Sequence, residues 1–418
     1  MFNFKIQPIR AQFPALRQTG ASGQPRVYLD GPAGTQVPQS VIDAMVNYLI
    51  TSNSNTHGQF ETSRQTDEII HETRRAMADF LGADSPDSIV IGNNMTTLTF
   101  HLSHALANFL QPGDEIIVSR LDHDANIAPW LALEKRGLRV RWLPFSHDDC
   151  TLQIDRLDQL ITDRTRLIAV GYASNAVGTI NPVQDIIARA RERDILTFID
   201  AVHYAPHGLI DVQALGCDFL ACSAYKFFGP HVGILYVHPD IGERLQPDKV
   251  RPQEDTLPDK FETGTLNLEG IAGVRAAVDY LASVHELAGA PADAGTSRRE
   301  RIARSMQMIA EYEQTLSRKL LRGLQSLPHV RIYGIQDDAR LHQRTPTFGI
   351  RVEGLSPAEV ALQLAERDIY VWDGDFFAME PVRQLGLADS GGLVRIGAVH
   401  YTTGAEIERL LEGLDEMG

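Results

Sequence analysis

The sequence predicts an α/β protein: one large domain built on a mostly parallel sheet, joined to a smaller α+β domain. Three observations predict it. Apolar runs of strand length recur at 88–92, 115–119, 138–143, 166–172, 195–200, 219–222 and 233–237. They are short and do not alternate with polar residues, as expected of parallel strands buried on both faces. Amphipathic stretches of helix length separate them, at 96–109, 127–135, 156–161 and 183–193.

The pattern changes after residue 284. The stretch 285–297 is rich in Ala and Gly, contains Pro291, and reads as a linker. A long helix is expected at 298–324. Beyond it lie strands near 330–333, 345–351 and 393–399 and helices at 357–366 and 405–414. These give a large domain over 28–284 and a small one over 298–418. Residues 1–27 are expected to pack on the small domain.

Composition narrows the function. With 418 residues the chain can bury a large core. Lys and Arg total 39 against 54 Asp and Glu, so the net charge of −15 disfavours a nucleic-acid partner. No run of about 18 apolar residues predicts a membrane span, and the first sixteen residues lack the apolar core of an export signal. Cys150, Cys217 and Cys222 fit no zinc spacing, so no metal is expected. They read as reduced thiols in a cytoplasmic protein.

The chemistry concentrates at strand ends. In open parallel sheets, ligands bind beyond the carboxyl ends of the strands. Asp200 ends one strand and Lys226 follows the next. A lysine in such a crevice is partly desolvated, which lowers its pKa and favours covalent attachment of a carbonyl cofactor. A carboxylate beside it would keep the ring nitrogen of pyridoxal 5′-phosphate protonated, making that cofactor an electron sink. Alone, Asp200 also fits a helix cap or an ion-pair partner. His123 follows the strand at 115–119; it could stack on a cofactor ring or lie in a surface loop. Asn175 follows the strand at 166–172, as a hydrogen-bond donor or an Asx-turn. Asn94, Met95 and Thr96 open a helix after a strand, which suits a phosphate or a simple N-cap.

Taken together, the motifs resemble the class V aminotransferase family of fold-type I pyridoxal-phosphate enzymes, in its cysteine desulfurase-like branch. They are Tyr28-Leu29-Asp30, Asp122-His123 with Ala125-Asn126, Ser174-Asn175 with Gly178-Thr179 and Asn181-Pro182, and Asp200-Ala201. They continue with Ser223-Ala224-Tyr225-Lys226, Gly229-Pro230, Phe261-Glu262 with Gly264-Thr265, and Arg395 with Tyr401. The resemblance spans about nine tenths of the chain and implies a role for each position. Lys226 binds the cofactor covalently, Asp200 partners its ring nitrogen and His123 stacks on its ring. Asn175 lies near its phenolate oxygen, and Ser223 with Asn94, Met95 and Thr96 holds its phosphate. Thr265 reaches a phosphate in the neighbouring subunit of a homodimer. Arg395 clamps the carboxylate of a small amino-acid substrate, with Ala33, His57 and Asn175 lining the substrate mouth.

Departures bear on the reaction. His203 stands where the branch usually has Gln, and Tyr225 where it usually has His; both are expected at the cofactor. A Tyr-Lys pair also resembles kynureninases. Desulfurases place a nucleophilic cysteine shortly after the strand at 369–372. Phe377 is nearest that position here, and no cysteine follows Cys222. Cys217 and Cys222 are expected to be buried, and Cys150 is the only candidate for an exposed thiol. The implied activity is a C–S lyase without a protein persulfide. Alternatives are a class V aminotransferase or epimerase, or a non-catalytic cofactor-binding partner protein.

Overall fold

A computed structural model describes residues 4–291 and 295–418. Thirteen strands lie among them: β1 (Val27–Tyr28), β2 (Ile89–Gly92), β3 (Glu115–Ser119), β4 (Arg139–Leu143), β5 (Thr165–Gly171), β6 (Leu196–Asp200), β7 (Phe219–Ser223), β8 (Gly233–Val237), β9 (Val330–Tyr333), β10 (Thr347–Val352), β11 (Ile369–Tyr370), β12 (Trp372–Gly374) and β13 (Leu393–Gly397). The large sheet has the order β2-β8-β7-β6-β5-β3-β4. Only β8 runs against its neighbours. The other six strands point one way, so β2, β3, β5, β6 and β7 end on one edge.

Period-two alternation along each strand divides the core between the two faces. Ile117, Ile168, Val170, Ile199 and Leu220 pack into one cluster with the long helix Leu268–Leu287. Ile116, Val118, Leu167, Ala169 and Phe198 pack into another with the helix Met95–Phe109. Both faces are apolar, which is why the strands read as unbroken hydrophobic runs.

A second sheet, β12-β13-β10-β9, is antiparallel. It shares a core with the helices Arg298–Gln325, Pro357–Ala365 and Gly404–Asp415. The strand expected at 369–372 is split. Ile369–Tyr370 pairs in parallel with Val27–Tyr28, and Trp372–Gly374 joins the second sheet. The start of the described chain touches both units. Lys5 N donates to Ala288 O at 3.0 Å, and Phe13 packs edge-on against Phe228, Tyr280 and Tyr401.

The helix Leu268–Leu287 runs past the expected start of the linker, because Val284 and His285 are buried in the core. Residues 292–294 of that linker and residues 1–3 lie outside the described residues. Two helices that the strand pattern did not signal, Gln39–Thr51 and Glu61–Leu81, pack with it.

One buried carboxylate ties this layer to the sheet. Glu262 accepts from Ile91 N at 2.8 Å and pairs with Arg74 of the Glu61–Leu81 helix at 2.5 Å. Ile91 lies just before the turn that opens the helix Met95–Phe109. Removing one partner of a buried pair leaves the other charge uncompensated. Glu262→Ala is therefore predicted to cost about 3 kcal/mol, the lower end for such a loss because Arg74 keeps some solvent contact. Urea unfolding measures it, and a loss below about 1 kcal/mol would remove Glu262 as a structural anchor.

Candidate active site

The site begins where β2 meets the helix Met95–Phe109. Asn94 Oδ1 caps the helix by accepting from Thr97 N at 2.9 Å, and Met95 N donates to Ser223 Oγ at 3.1 Å. A Cβ on Gly233 would stand 2.3 Å from the Asn94 carbonyl carbon. Only glycine lets β8 run this close beneath the turn. The result is a helix N-terminus with hydroxyls beside it, which suits an anionic group.

After β3 the chain is locked by Asp122. Its carboxylate accepts from Ser119 Oγ at 2.5 Å, Gly171 N at 2.9 Å and Asn126 Nδ2 at 2.8 Å. Burial pushes it up to about 7. This network fixes His123, whose Nδ1 accepts from Ala125 N at 3.0 Å. Burial first, then the Lys226 and Arg395 cations, lowers the imidazole to about 4, so it is neutral at pH 7.

Asp200 ends β6 and is buried, accepting from Val202 N at 2.9 Å. Burial raises its carboxyl to about 6. Lys226 follows β7 in a turn of 3-10 helix. Its Nζ donates to the carbonyls of Pro32 and, at 3.1 Å, Ala33. Burial, reinforced by Arg395, depresses it to about 7, while Asp200 and Asp30 act the other way. Arg395, on β13, is 4% exposed and donates to Asn175 O at 3.1 Å, but its Nε has no hydrogen-bond partner among the described residues.

These positions share two adjoining cavities. The inner cleft is lined by Asn94, Met95, Thr96, His123, Asn175, Asp200, His203, Ser223, Tyr225 and Lys226. A wider mouth, also bordered by His123, Asn175 and Lys226, adds Ala33, Arg395 and the segment 372–377. Thr265 and His57 are not brought to either cavity. Thr265 is exposed. The His57 ring is 89% exposed, and its backbone N–H donates to Asp67 at 3.1 Å. Both stand on connecting segments that no strand end directs into the cleft.

Sequence reasoning assigned no role to Asp30, Asp122 or Phe376. Asp30 is held up at about 6 by burial, with Arg395 and Lys226 opposing, and its Oδ1 is unpartnered. Its place at the end of a short strand, next to Pro32, was the available signal. Phe376 lies beneath the Arg395 guanidinium at 4.3 Å, and its carbonyl accepts from Asn175 Nδ2 at 3.0 Å. Phe377 stacks near His123 at 5.6 Å, and its carbonyl accepts from Asp124 N at 2.7 Å. Nothing in residue type foretells these loop contacts.

The donor set fits pyridoxal phosphate. A helix N-terminus with Ser223 suits the phosphate, a buried carboxylate suits a ring nitrogen, and a depressed lysine suits the aldehyde carbon. The unpartnered Asn175 Oδ1 and Arg395 Nε are buried donors and acceptors that a bound molecule would satisfy.

Comparisons with known proteins agree. The family model described as aminotransferase class-V matches residues 27–293 and 301–410. A cysteine desulfurase of Cronobacter sakazakii is 32% identical over 428 residues, covering 99% of this chain and 98% of the relative. An aminotransferase-like protein of Gibberella zeae is 32% identical with the same coverage. The apo cysteine desulfurase of Thermococcus onnurineus superposes with a TM-score of 0.87 at 26% identity, over 100% of this chain and 99% of its own. An S-sulfonic acid form of an Escherichia coli cysteine desulfurase gives 0.82 at 26% identity, over 99% and 98%. The chain belongs to the class V aminotransferase family and is a pyridoxal-phosphate-dependent enzyme of the cysteine desulfurase type.

Proposed function

We propose that Lys226 carries the cofactor and that the enzyme eliminates a β-substituent, sulfur above all, from a small amino acid without a protein persulfide. The observation that carries this is the state of the thiols. A persulfide carrier must be a mobile, accessible thiolate. Cys150, Cys217 and Cys222 are each no more than 1% exposed. Burial pushes Cys150 and Cys217 up to about 12, and Cys222 higher still. Cys150, the expected exposed candidate, is covered because its turn folds under Gly334 and Arg344. The loop position nearest a desulfurase cysteine holds Phe377, 71% exposed at the mouth.

Bound pyridoxal phosphate would supply an electron sink for a Cα carbanion. Asp200, buried at the end of β6, would hold a proton on the ring nitrogen. Arg395 offers unfilled guanidinium donors to a substrate carboxylate, in a bidentate geometry that suits it. Lys226 Nζ, neutral over much of the range above pH 7, accepts the Cα proton. His123, neutral and stiffly held, is a residue that would hold the ring within the cleft. Phe376 and Phe377 border the mouth.

A second copy of the chain is part of this reading. The helix Gln39–Thr51 exposes Val46, Leu49 and Ile50, the last at 76%, and Phe60 follows at 59%. Apolar surface on this scale favours a partner, and a homodimer would also give exposed Thr265 and His57 a site to complete. Sedimentation should give twice the chain mass, and a single-chain mass would remove the partner. Cys150, Cys217 and Cys222 are free thiols, which fits a reducing compartment such as the cytoplasm.

Incubation with cysteine or cystine should yield pyruvate and ammonia with the sulfur fragment, since the elimination consumes one water and oxidises nothing. Alanine together with a mappable protein persulfide would overturn the proposal. Transamination or inversion products, with no pyruvate from either amino acid, would move the aminotransferase or epimerase reading forward.

Cofactor capture needs the neutral amine of Lys226. Its rate should rise with pH and level off not far above 7, because the neutral fraction grows as pH passes the depressed pKa. Stopped-flow absorbance measures this. A rate still climbing at pH 10 would mean that Lys226 is not desolvated, and borohydride trapping on another lysine would remove it from the role.

A further inference from the structure

We propose that the amino-acid substrate carries a cation, an ammonium or a guanidinium, at the far end of its side chain, and that Asp124, Asp375 and Trp372 recognise it at the mouth. That substrate class rests on the reading of the cleft as an amino-acid site. The mouth has two electrically opposite ends. The cations Lys226 and Arg395 stand at its buried end, and the carboxylates of Asp124 and Asp375 border it nearer the surface. The cavity measures about 740 Å³, which leaves room for a side chain much longer than that of cysteine.

The acids at the mouth are uncompensated. Asp124 is half-buried, and its backbone N–H is taken by Phe377 O. Burial first, then the nearby carboxylates of Glu380 and Asp375, raises its carboxyl, and no cation acts the other way. Glu380 itself is answered by Arg120 and Arg383. Asp375 is exposed and uses Oδ1 to accept from Phe377 N at 2.9 Å. An acidic edge alone would not define a ligand. The buried end supplies the second observation. Arg395 Nε and Asn175 Oδ1, on residues 4% and 8% exposed that line the same mouth, have no hydrogen-bond partner among the described residues. A molecule that ends in a carboxylate on one side and a cation on the other would satisfy both ends at once.

Aromatic rings stand beside these carboxylates. Trp372 on β12 lies opposite Arg395 on β13, so the two side chains share one face of the sheet. Trp372 is 51% exposed and borders the mouth, where Phe377 is 71% exposed. Asp373 pairs with Val394 and alternates to the other face, so it is left out of the set. Ring faces next to carboxylates attract an ammonium or a guanidinium through the ring quadrupole as well as through charge. A second carboxylate in the substrate would meet two acids, and an apolar tail would leave their mutual repulsion in place.

The test uses the loaded enzyme and two near-isosteres, S-(2-aminoethyl)-L-cysteine and S-propyl-L-cysteine, which differ in a terminal ammonium. Binding is read from the rapid absorbance change of the cofactor on mixing, and pyruvate is followed separately. The aminoethyl compound should bind about tenfold more tightly at low salt, and its advantage should shrink as salt rises. D124N, D375N and W372L should each lower its affinity by roughly threefold to fivefold and leave that of the propyl compound unchanged. Equal affinities, or tighter binding of the propyl compound, would overturn the proposal. So would a full preference kept in both D124N and D375N; either variant alone carries this arm if the other does not fold. Preference for the aminoethyl compound with no pyruvate from either would defeat the elimination reading and leave the cation site standing. Pyruvate from both, at equal affinity, would do the reverse.

Discussion

The site depends on one electrostatic constraint: a lysine amine kept out of water. Burial costs the charged form of Lys226 more than Asp200 and Asp30 return, because Arg395 opposes them from the other side. Two cations and two carboxylates thus share a low-dielectric space, and none keeps its ordinary pKa. The carboxyls of Asp30 and Asp200 rise to about 6, and Arg395 falls to about 9. Such a set is poised to exchange protons near neutrality, which a charged surface cluster is not.

That arrangement follows from the sheet. Six strands point one way, so their carboxyl ends deliver Asn94, His123, Asn175, Asp200 and Lys226 to one edge from five separate segments of chain. The antiparallel β8 serves a different purpose. By passing under Asn94 with Gly233, it lets the turn that opens the helix Met95–Phe109 meet Ser223. The second sheet contributes Arg395 and the loop after β12, closing the cleft from across the mouth.

The strands and their following residues were legible because burial on both faces leaves an apolar run, and a strand end fixes where the next polar side chain goes. Lys226, Asp200 and His123 therefore stand where their spacing put them, in one cleft. Helices packed on the outside were less legible. Gln39–Thr51 keeps Val46, Leu49 and Ile50 exposed, so its apolar residues do not form one inward stripe. Cys150 was misread because a polar run around it suggested a surface loop, whereas the turn carries its side chain inward at φ 52. Asp30 was quoted in a motif but left without a role, since its partners lie hundreds of residues away.

The loop after β12 connects these levels. Phe376 and Phe377 both adopt left-handed backbone, with φ of 58 and 56. For side chains of this size that conformation costs about 1–3 kcal/mol each and persists only where the surroundings over-determine it. Here the surroundings are the site itself. Asn175 holds one carbonyl, the Asp124 backbone the other, and Asp375 Oδ1 accepts from Phe377 N at 2.9 Å. The Arg395 guanidinium then settles on the Phe376 ring. The loop is therefore placed by the groups that would bind substrate, and it cannot move without disturbing Asn175 and Arg395. A residue at 377 chosen for chemistry, such as a thiol, would need freedom to reach the substrate. This loop is instead held at both carbonyls, with Phe376 against Arg395 and Phe377 beside His123.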